Sequence, residues 1–203
     1  MQHCLVSLGM MLLLMRRKLN HFLPQHLIKY LTYLFRVKHW LSRGCPKNKL
    51  IVGIPTYGRS WTLSGSSTTL GSSAYAPGTA GPLSGESGFL MYNEICVNIA
   101  SNGWNKVSDP SGNMGPYAFK GNQWVGYDDI SMAAIKAQYI HDNKLGGAMF
   151  WDLPSDDFKN LCGDGTYPII RTVYNILSSG SLCSNGMMLN LKCCFFLLTS
   201  YCD

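Results

Sequence analysis

Two short apolar runs interrupt an otherwise mixed pattern of hydrophobic and polar positions. Residues 50–54 read LIVGI, and residues 148–151 read AMFW. An unbroken apolar run of this length is typical of a strand that is buried on both faces, as parallel strands are. Polar chemistry follows each run at once, as PTYGR after the first and DLPSDDF after the second. The pattern predicts two parallel strands with functional side chains at their C-terminal ends, although an ordinary core strand with a solvated exit would read the same way.

The segment between these runs predicts a β-rich unit. Residues 64–88 are rich in Gly, Ser and Thr without a helical period, which indicates turns and irregular strands. Residues 89–100 fit a short helix. The stretch Gly115–Asp129 predicts two short strands around the turn at residues 120–122.

Helices are predicted on either side of the second run. Ser131 is a suitable N-cap for a helix that continues to about Asn143. A last helix is predicted near Tyr167–Leu177, with Pro168 in its first turn. The order strand, β-rich insertion, helix, strand, helix therefore predicts an α/β fold with two successive β/α units.

The N-terminal segment, residues 1–45, is basic and apolar and is predicted to be partly helical. Residues 4–15 have the length of a signal-peptide core, but basic residues follow them rather than precede them, so a signal peptide stays an open question. The stretch is also shorter than the roughly 20 residues that a membrane-spanning helix needs, and no stable membrane span is predicted. Residues 25–42 predict a helix that either packs against the rest of the chain or lies on a membrane surface. Its apolar face would hold Leu27, Tyr30, Leu31, Leu34 and Phe35.

The remaining chain divides into a folded unit and a tail. Residues 46–177 read as the folded unit, and residues 178–203 as a linker followed by an atypical tail. A short buried tail, a membrane-contacting tail and a non-native extension all fit that last stretch.

The charge distribution argues against a nucleic-acid partner. The net charge is +6, but residues 1–85 hold ten Lys and Arg and no acid, so the excess belongs to the N-terminal segment. No nucleic-acid-binding motif accompanies it, and no such partner is expected. The eight cysteines form no C-x-x-C pair and lack zinc-ligand spacing, so no metal site is predicted.

Four blocks in a fixed order resemble the chitinases of glycoside hydrolase family 18: KLIVGIPTYGRSW (49–61), GPLSGESGFLMYNEIC (81–96), GNQWVGYDD (121–129) and LGGAMFWDLPSDDF (145–158). The resemblance covers about Val37–Leu177. It implies a partial (β/α)8 TIM barrel, the last two β/α units, with a small α+β insertion domain over about residues 60–123. Leu50–Tyr57 would be the seventh barrel strand and Ala148–Trp151 the eighth.

The resemblance also implies a ligand and the residues that hold it. The parent enzymes hydrolyse β-1,4-linked N-acetylglucosamine polymers, so the implied partner is chitin or a chito-oligosaccharide, without a cofactor. The residues matching the family's sugar-binding wall are Tyr57, Arg59, Glu86, Phe89 and Trp151. Cys96 and Cys162 match a family disulfide, and an extracellular location is implied. Asp152 and Pro154 depart from the family pattern in the loop after Trp151.

The family's catalytic signature, DxxDxDxE, does not occur in the 203 residues. No catalytic residue is therefore assigned, and the chain alone is expected to be inactive. Three interpretations follow: a fragment of a secreted chitinase, a non-catalytic chitin- or glycan-binding chitinase-like protein, or a truncated gene product without function.

Overall fold

The computed structural model describes residues 33–109 and 114–179, together with the backbones of two short terminal strands. The predicted apolar segment at 4–15 and the tail after 179, apart from those two strands, lie outside the described residues. In chain order the elements are β1 (Cys4–Val6), α1 (Tyr33–Ser42), a 3-10 turn (Lys47–Lys49), β2 (Leu50–Pro55), β3 (Tyr57–Leu63), β4 (Ala74–Pro77), β5 (Phe89–Met91), α2 (Tyr92–Ser101), β6 (Asn105–Val107), β7 (Tyr117–Lys120), β8 (Gln123–Tyr127), α3 (Ile130–Asp142), β9 (Gly147–Trp151), α4 (Pro168–Ser179) and β10 (Phe195–Leu197).

A four-stranded parallel sheet contains both apolar runs. Its strand order is β1-β2-β9-β10. In the central pair, Val52 lies opposite Ala148 and Pro55 opposite Trp151. Every residue of β2 and the first four of β9 are buried. Helices α3 and α4 pack on each other and on β9, so the α/β fold is confirmed.

A second sheet is antiparallel, with the strand order β4-β3-β8-β7-β6 and β5 also paired to β3. The predicted hairpin is confirmed: β7 and β8 pair across Gly121, whose φ of 57° suits a residue without a side chain. Burial alternates along β3, where Gly58 and Ser60 are buried while Tyr57 and Arg59 are half-buried. This alternation is typical of a sheet with one covered face.

The strand predicted over Leu50–Tyr57 is interrupted at Thr56. The Thr56 N–H donates to the Trp151 carbonyl (3.1 Å), and the Tyr92 N–H donates to the Thr56 carbonyl (3.0 Å). Thr56 thereby hydrogen-bonds to β9 of the parallel sheet and to the first residue of α2, directly after β5, and the chain crosses from one sheet to the other at this residue. Tyr57 is consequently the first residue of the antiparallel strand β3 rather than the last of the parallel strand.

Two predictions near the helix starts were wrong. Residues 89–91 form β5 because they pair with β3, and the helix begins only at Tyr92. The N-cap of α3 is Asp129, whose carboxylate accepts from the Met132 N–H at 2.8 Å, whereas Ser131 is exposed within the helix.

The predicted first and last helices are observed in part and with shifted bounds. The last is α4, Pro168–Ser179. Of the helix predicted over 25–42, residues 33–42 are helical, and the rest lies outside the described part. Tyr33 and Val37 face the core, while Phe35, predicted on the apolar face, is 38% exposed. Within the described residues no helix has the length and hydropathy needed to cross a bilayer.

Candidate functional site

Trp151 ends the buried strand β9 with an exposed side chain. Its relative exposure is 42%, whereas Phe150 before it is 1% exposed. Since Trp151 lies opposite Pro55, its indole stands at the C-terminal edge of the parallel sheet, beside the crossing at Thr56. α/β folds place their ligand sites at this edge.

Three predicted residues form a compact cluster at the start of β3. The rings of Tyr57 and Phe89 stack with centroids 4.9 Å apart and planes inclined by 29°. The Arg59 guanidinium carbon lies 5.2 Å from the Tyr57 centroid and 5.3 Å from the Phe89 centroid. Arg59 and Phe89 are cross-strand neighbours, so both project from the same face of the sheet. The cation is therefore held by two aromatic rings.

Glu86 adds a loose charge contact to this cluster. Its Oε1 lies 4.0 Å from the Arg59 Nη1, and its side chain is 67% exposed. Exposed ion pairs of this kind contribute little to stability. The buried Nε of Arg59 has no hydrogen-bond partner among the described residues. The guanidinium thus keeps one buried donor that no described residue uses.

A buried carboxylate that the sequence reasoning missed shapes the turn before β5. Glu94 is 4% exposed, and its two oxygens accept three backbone hydrogen bonds. The donors are the N–H groups of Leu83 (2.7 Å), Ser84 (3.0 Å) and Met91 (2.8 Å). The turn that carries Glu86 and leads into Phe89 is therefore attached to α2. A Glu three residues after the strand end was the available signal, since this spacing occurs in capping boxes.

Two buried aspartates organise the loop after Trp151. Asp156 accepts from the N–H groups of Asp157 (2.8 Å) and Ile170 (3.0 Å). Burial raises the pKa of Asp156, although these backbone donors act in the opposite direction. Asp157 accepts from the N–H groups of Leu161 (2.8 Å) and Cys162 (2.9 Å). Both carboxylates support loop backbone rather than face the exposed indole.

A disulfide joins the two parts of the molecule that carry the candidate residues. It links Cys96 on α2 to Cys162 in the loop after β9, with Cα atoms 6.0 Å apart. Asn93 reinforces the junction, because its side-chain amide donates to the Pro154 carbonyl at 3.4 Å. The two sulfurs and a carboxylate oxygen of Asp157 lie within 4.8 Å of one another. The sulfurs are bonded to each other, so this group does not offer thiolates to a metal.

A second group of charges lies in the core. Lys136 and Asp128, 4% and 1% exposed, form a close ion pair, and the Lys136 ammonium stands 5.6 Å from the Tyr33 ring centroid. Burial raises the pKa of Asp128 against the opposing effect of Lys136. Burial likewise raises the pKa of Tyr33 to about 12. These groups connect α1 to α3, and α3 to the residue that follows β8, and all three side chains are buried.

Comparison with known proteins agrees with this architecture. The sequence profile described as "Glycosyl hydrolases family 18" matches residues 19–156. Probable chitinase 10 of Drosophila melanogaster is 43% identical over 155 residues, which cover 76% of this chain and 7% of that protein. The Ostrinia furnacalis group II chitinase catalytic domain 2 superposes with a TM-score of 0.71 at 41% identity, over 72% of this chain and 39% of that one.

Human YKL-39, described as a pseudo-chitinase with retained chitooligosaccharide-binding properties, superposes with a TM-score of 0.69 at 42% identity. The match covers 73% of this chain and 40% of that one. The chain thus spans well under half the length of these relatives. The profile match, the level of identity and the shared fold lead to one conclusion: this chain belongs to family 18 of the glycosyl hydrolases.

Proposed function

We propose that this chain binds chitin or chito-oligosaccharides on a surface formed by Trp151, Tyr57, Arg59, Glu86 and Phe89. The observation that carries the proposal is the exposed indole at the end of a buried strand, together with a guanidinium held over two rings on β3, the strand that begins directly after the Thr56–Trp151 hydrogen bond. An indole face can stack on the apolar face of a pyranose ring. Arg59 and Glu86 supply charged groups for sugar hydroxyls and N-acetyl groups, in the mixed apolar and polar setting common to ligand sites.

The same proposal gives the two sheets their places in the family fold. Strands β2 and β9 would be the seventh and eighth strands of a (β/α)8 barrel, and the antiparallel sheet would be the insertion domain. Their parallel register and the position of Trp151 at the C-terminal edge support this arrangement. Residues 46–177 would form the folded unit between an atypical N-terminal segment and a tail. The disulfide supports an extracellular location.

Binding without hydrolysis is the activity we propose for the 203 residues alone. The buried acids have structural partners: Glu94 and Asp156 accept backbone N–H bonds, and Asp128 pairs with Lys136. Glu86 is exposed, and its described charge contact is with Arg59 at 4.0 Å. Human YKL-39 offers a precedent for binding of this kind.

Hydrolysis of β-1,4-linked N-acetylglucosamine polymers is the second candidate, as a property of a longer chain that also carries the DxxDxDxE motif. The similarity to catalytic chitinase domains, of which this chain spans 39%, favours it.

Retention on chitin beads tests the proposed binding. The wild-type chain should be retained, and Trp151→Ala should lose most of that retention. Trp40→Ala is a matched control, because Trp40 is 41% exposed on α1, outside the proposed surface. Equal retention of Trp151→Ala and wild type would contradict the binding site. Release of soluble oligosaccharides by the purified chain would contradict the absence of hydrolysis.

A further inference from the structure

We propose that Trp61 is an additional sugar platform, so that this chain binds long chito-oligosaccharides more tightly than short ones. The inference rests on the proposed function and extends the binding surface along β3. It assigns a ligand role to a tryptophan outside the set of residues that match the family's sugar-binding wall.

Trp61 lies on the same face of β3 as two residues of the proposed binding surface. Tyr57, Arg59 and Trp61 are alternate residues of β3 and share one face, since successive side chains of a strand point to opposite faces. Two residues of strand advance about 6.6–6.8 Å, which puts Trp61 about 13 Å from Tyr57 along the strand. This span exceeds one pyranose ring, so only an oligosaccharide could contact both ends of the row.

The neighbouring strand leaves this row open at its centre, beside Arg59. Gly126 of β8 lies opposite Arg59 and has no side chain, so no bulky group rises beside the guanidinium. The next residue across is Tyr117 of β7. A sugar chain beside Arg59 would therefore meet the side chain of Tyr117 rather than one from β8.

The surroundings of Trp61 support its ring from one side. Trp61 lies opposite Trp124, which is 2% exposed. The Trp124 ring stacks on Tyr117 with centroids 5.3 Å apart, and its indole N–H donates to the Thr68 carbonyl at 3.1 Å. Trp61 itself is half-buried. Within the described residues the Trp61 indole N–H has no hydrogen-bond partner, and its nitrogen is not fully buried. The paired tryptophans thus differ: one is buried and bonded, while the other keeps a donor at the surface.

These features give Trp61 the chemistry of a sugar contact. A half-buried indole whose N–H is unpaired can stack its accessible part on a pyranose while the N–H donates to a hydroxyl. Because Arg59 lies between Trp61 and Tyr57, a bound oligosaccharide would run along β3 in the order aromatic, cation, aromatic.

Isothermal titration with N-acetylglucosamine oligomers from the dimer to the hexamer tests the inference. For the wild type we expect affinity to rise with length. Trp61→Ala should weaken binding of the hexamer about three- to tenfold and leave binding of the dimer unchanged, as expected for the loss of one aromatic contact. Trp61→Phe, which retains a ring and is less disruptive to the fold, should recover most of the hexamer affinity. Trp104→Phe, at another half-buried tryptophan, is the matched control.

The outcomes separate the two proposals. An unchanged hexamer affinity in Trp61→Ala, or an equal loss for dimer and hexamer, would overturn the role of Trp61 and leave the binding function in place. If Trp61→Ala does not fold, two other variants take its place. The role is supported when Trp61→Phe binds the hexamer with an affinity close to wild type and Trp61→Leu binds the hexamer, but not the dimer, more weakly. Leucine has a similar apolar character but no ring. The role is overturned when the leucine variant binds both lengths like wild type. A wild type that binds no oligomer would overturn both proposals.

Discussion

The two strands that carry the candidate site are built differently. β9 is buried along its length until its last residue, Trp151, which is 42% exposed. β3 instead alternates, with a covered face at Gly58 and a more open one at Tyr57 and Arg59. A strand buried on both faces can present a functional side chain only where it ends, whereas a strand covered on one face can present a row of them. One site can therefore combine a single side chain at the end of one strand with a row of side chains along another.

The sharpest test of this difference lies within β9. Phe150→Ala should lower the free energy of unfolding by about 3–5 kcal/mol, because it leaves a cavity where a fully buried ring was. Trp151→Ala, one residue later, should cost about 1–2 kcal/mol because its side chain is 42% exposed and leaves less of a cavity. Urea unfolding of both variants measures the contrast. Similar losses at the two positions would show that burial does not end at Phe150.

The covered face of β3 can be tested at its glycine. A Cβ at Gly58 would lie 2.6 Å from the Val125 Cγ2, 2.7 Å from the Ile95 Cδ1 and 2.8 Å from a backbone oxygen. Gly58→Ala should therefore cost about 1–3 kcal/mol by overpacking.

Gly65→Ala is the matched control for that substitution. No atom lies within 4 Å of a Cβ at Gly65, so the change should stay within about 0.5 kcal/mol. Equal stability of the two variants would contradict tight packing behind the row that holds Tyr57 and Arg59.

Substitutions just after β8 distinguish the observed N-cap of α3, Asp129, from the predicted one, Ser131. Asp129→Ala should cost about 1 kcal/mol, because it removes the acceptor of the Met132 N–H and the partner of Lys106 at 2.6 Å. Ser131→Ala should change stability by less than about 0.5 kcal/mol, since Ser131 is exposed inside the helix. Thermal unfolding decides between them. A larger loss at Ser131 would restore the cap predicted from the sequence.

Asp156, in the loop after β9, should make the free energy of unfolding depend slightly on pH. Because burial raises the pKa of Asp156 in the folded state, the native chain binds more protons than the unfolded one just above the ordinary carboxyl pKa of about 3.9. The contribution of this group is most favourable below that value and falls as pH rises through the shifted pKa. The asparagine in Asp156→Asn does not titrate, so the free energy of unfolding of this variant should decline less as pH rises. The variant also loses one of the two oxygens that accept backbone N–H groups.

Stability measured in urea from pH 4 to pH 7 gives the comparison. A wild-type curve that rises more steeply than that of Asp156→Asn over this range would contradict the sign. Asp128, whose pKa is also raised by burial, adds a decline of the same direction to both proteins, so only the difference between the curves reports on Asp156.

Local patterns were sufficient for several elements. The runs at 50–54 and 148–151 became β2 and β9 because continuous apolar character is what a doubly covered strand requires. The β7–β8 hairpin followed from its turn residues. Family resemblance, rather than periodicity, pointed to Tyr57, Arg59 and Phe89, and the structure brings these three into one cluster.

Long-range pairing decided the rest. Phe89–Met91 fits a helix locally, but its hydrogen bonds go to Tyr57–Arg59. Asp129 and Ser131 are both good cap residues, and the choice followed from where β8 leaves its pairing with β3. The break at Thr56 arises because its backbone N–H and carbonyl form hydrogen bonds with residues distant in sequence, Trp151 and Tyr92.

Periodicity and turn chemistry alone settle that this chain has an α/β fold with two buried strands, since burial on both faces is written into consecutive residues. Tertiary structure decides where those strands stop, which face of β3 stays more open, and that Trp151 is exposed while Trp61 is half-buried. Those properties depend on which distant segment covers each side chain, and one residue's local sequence does not contain that information.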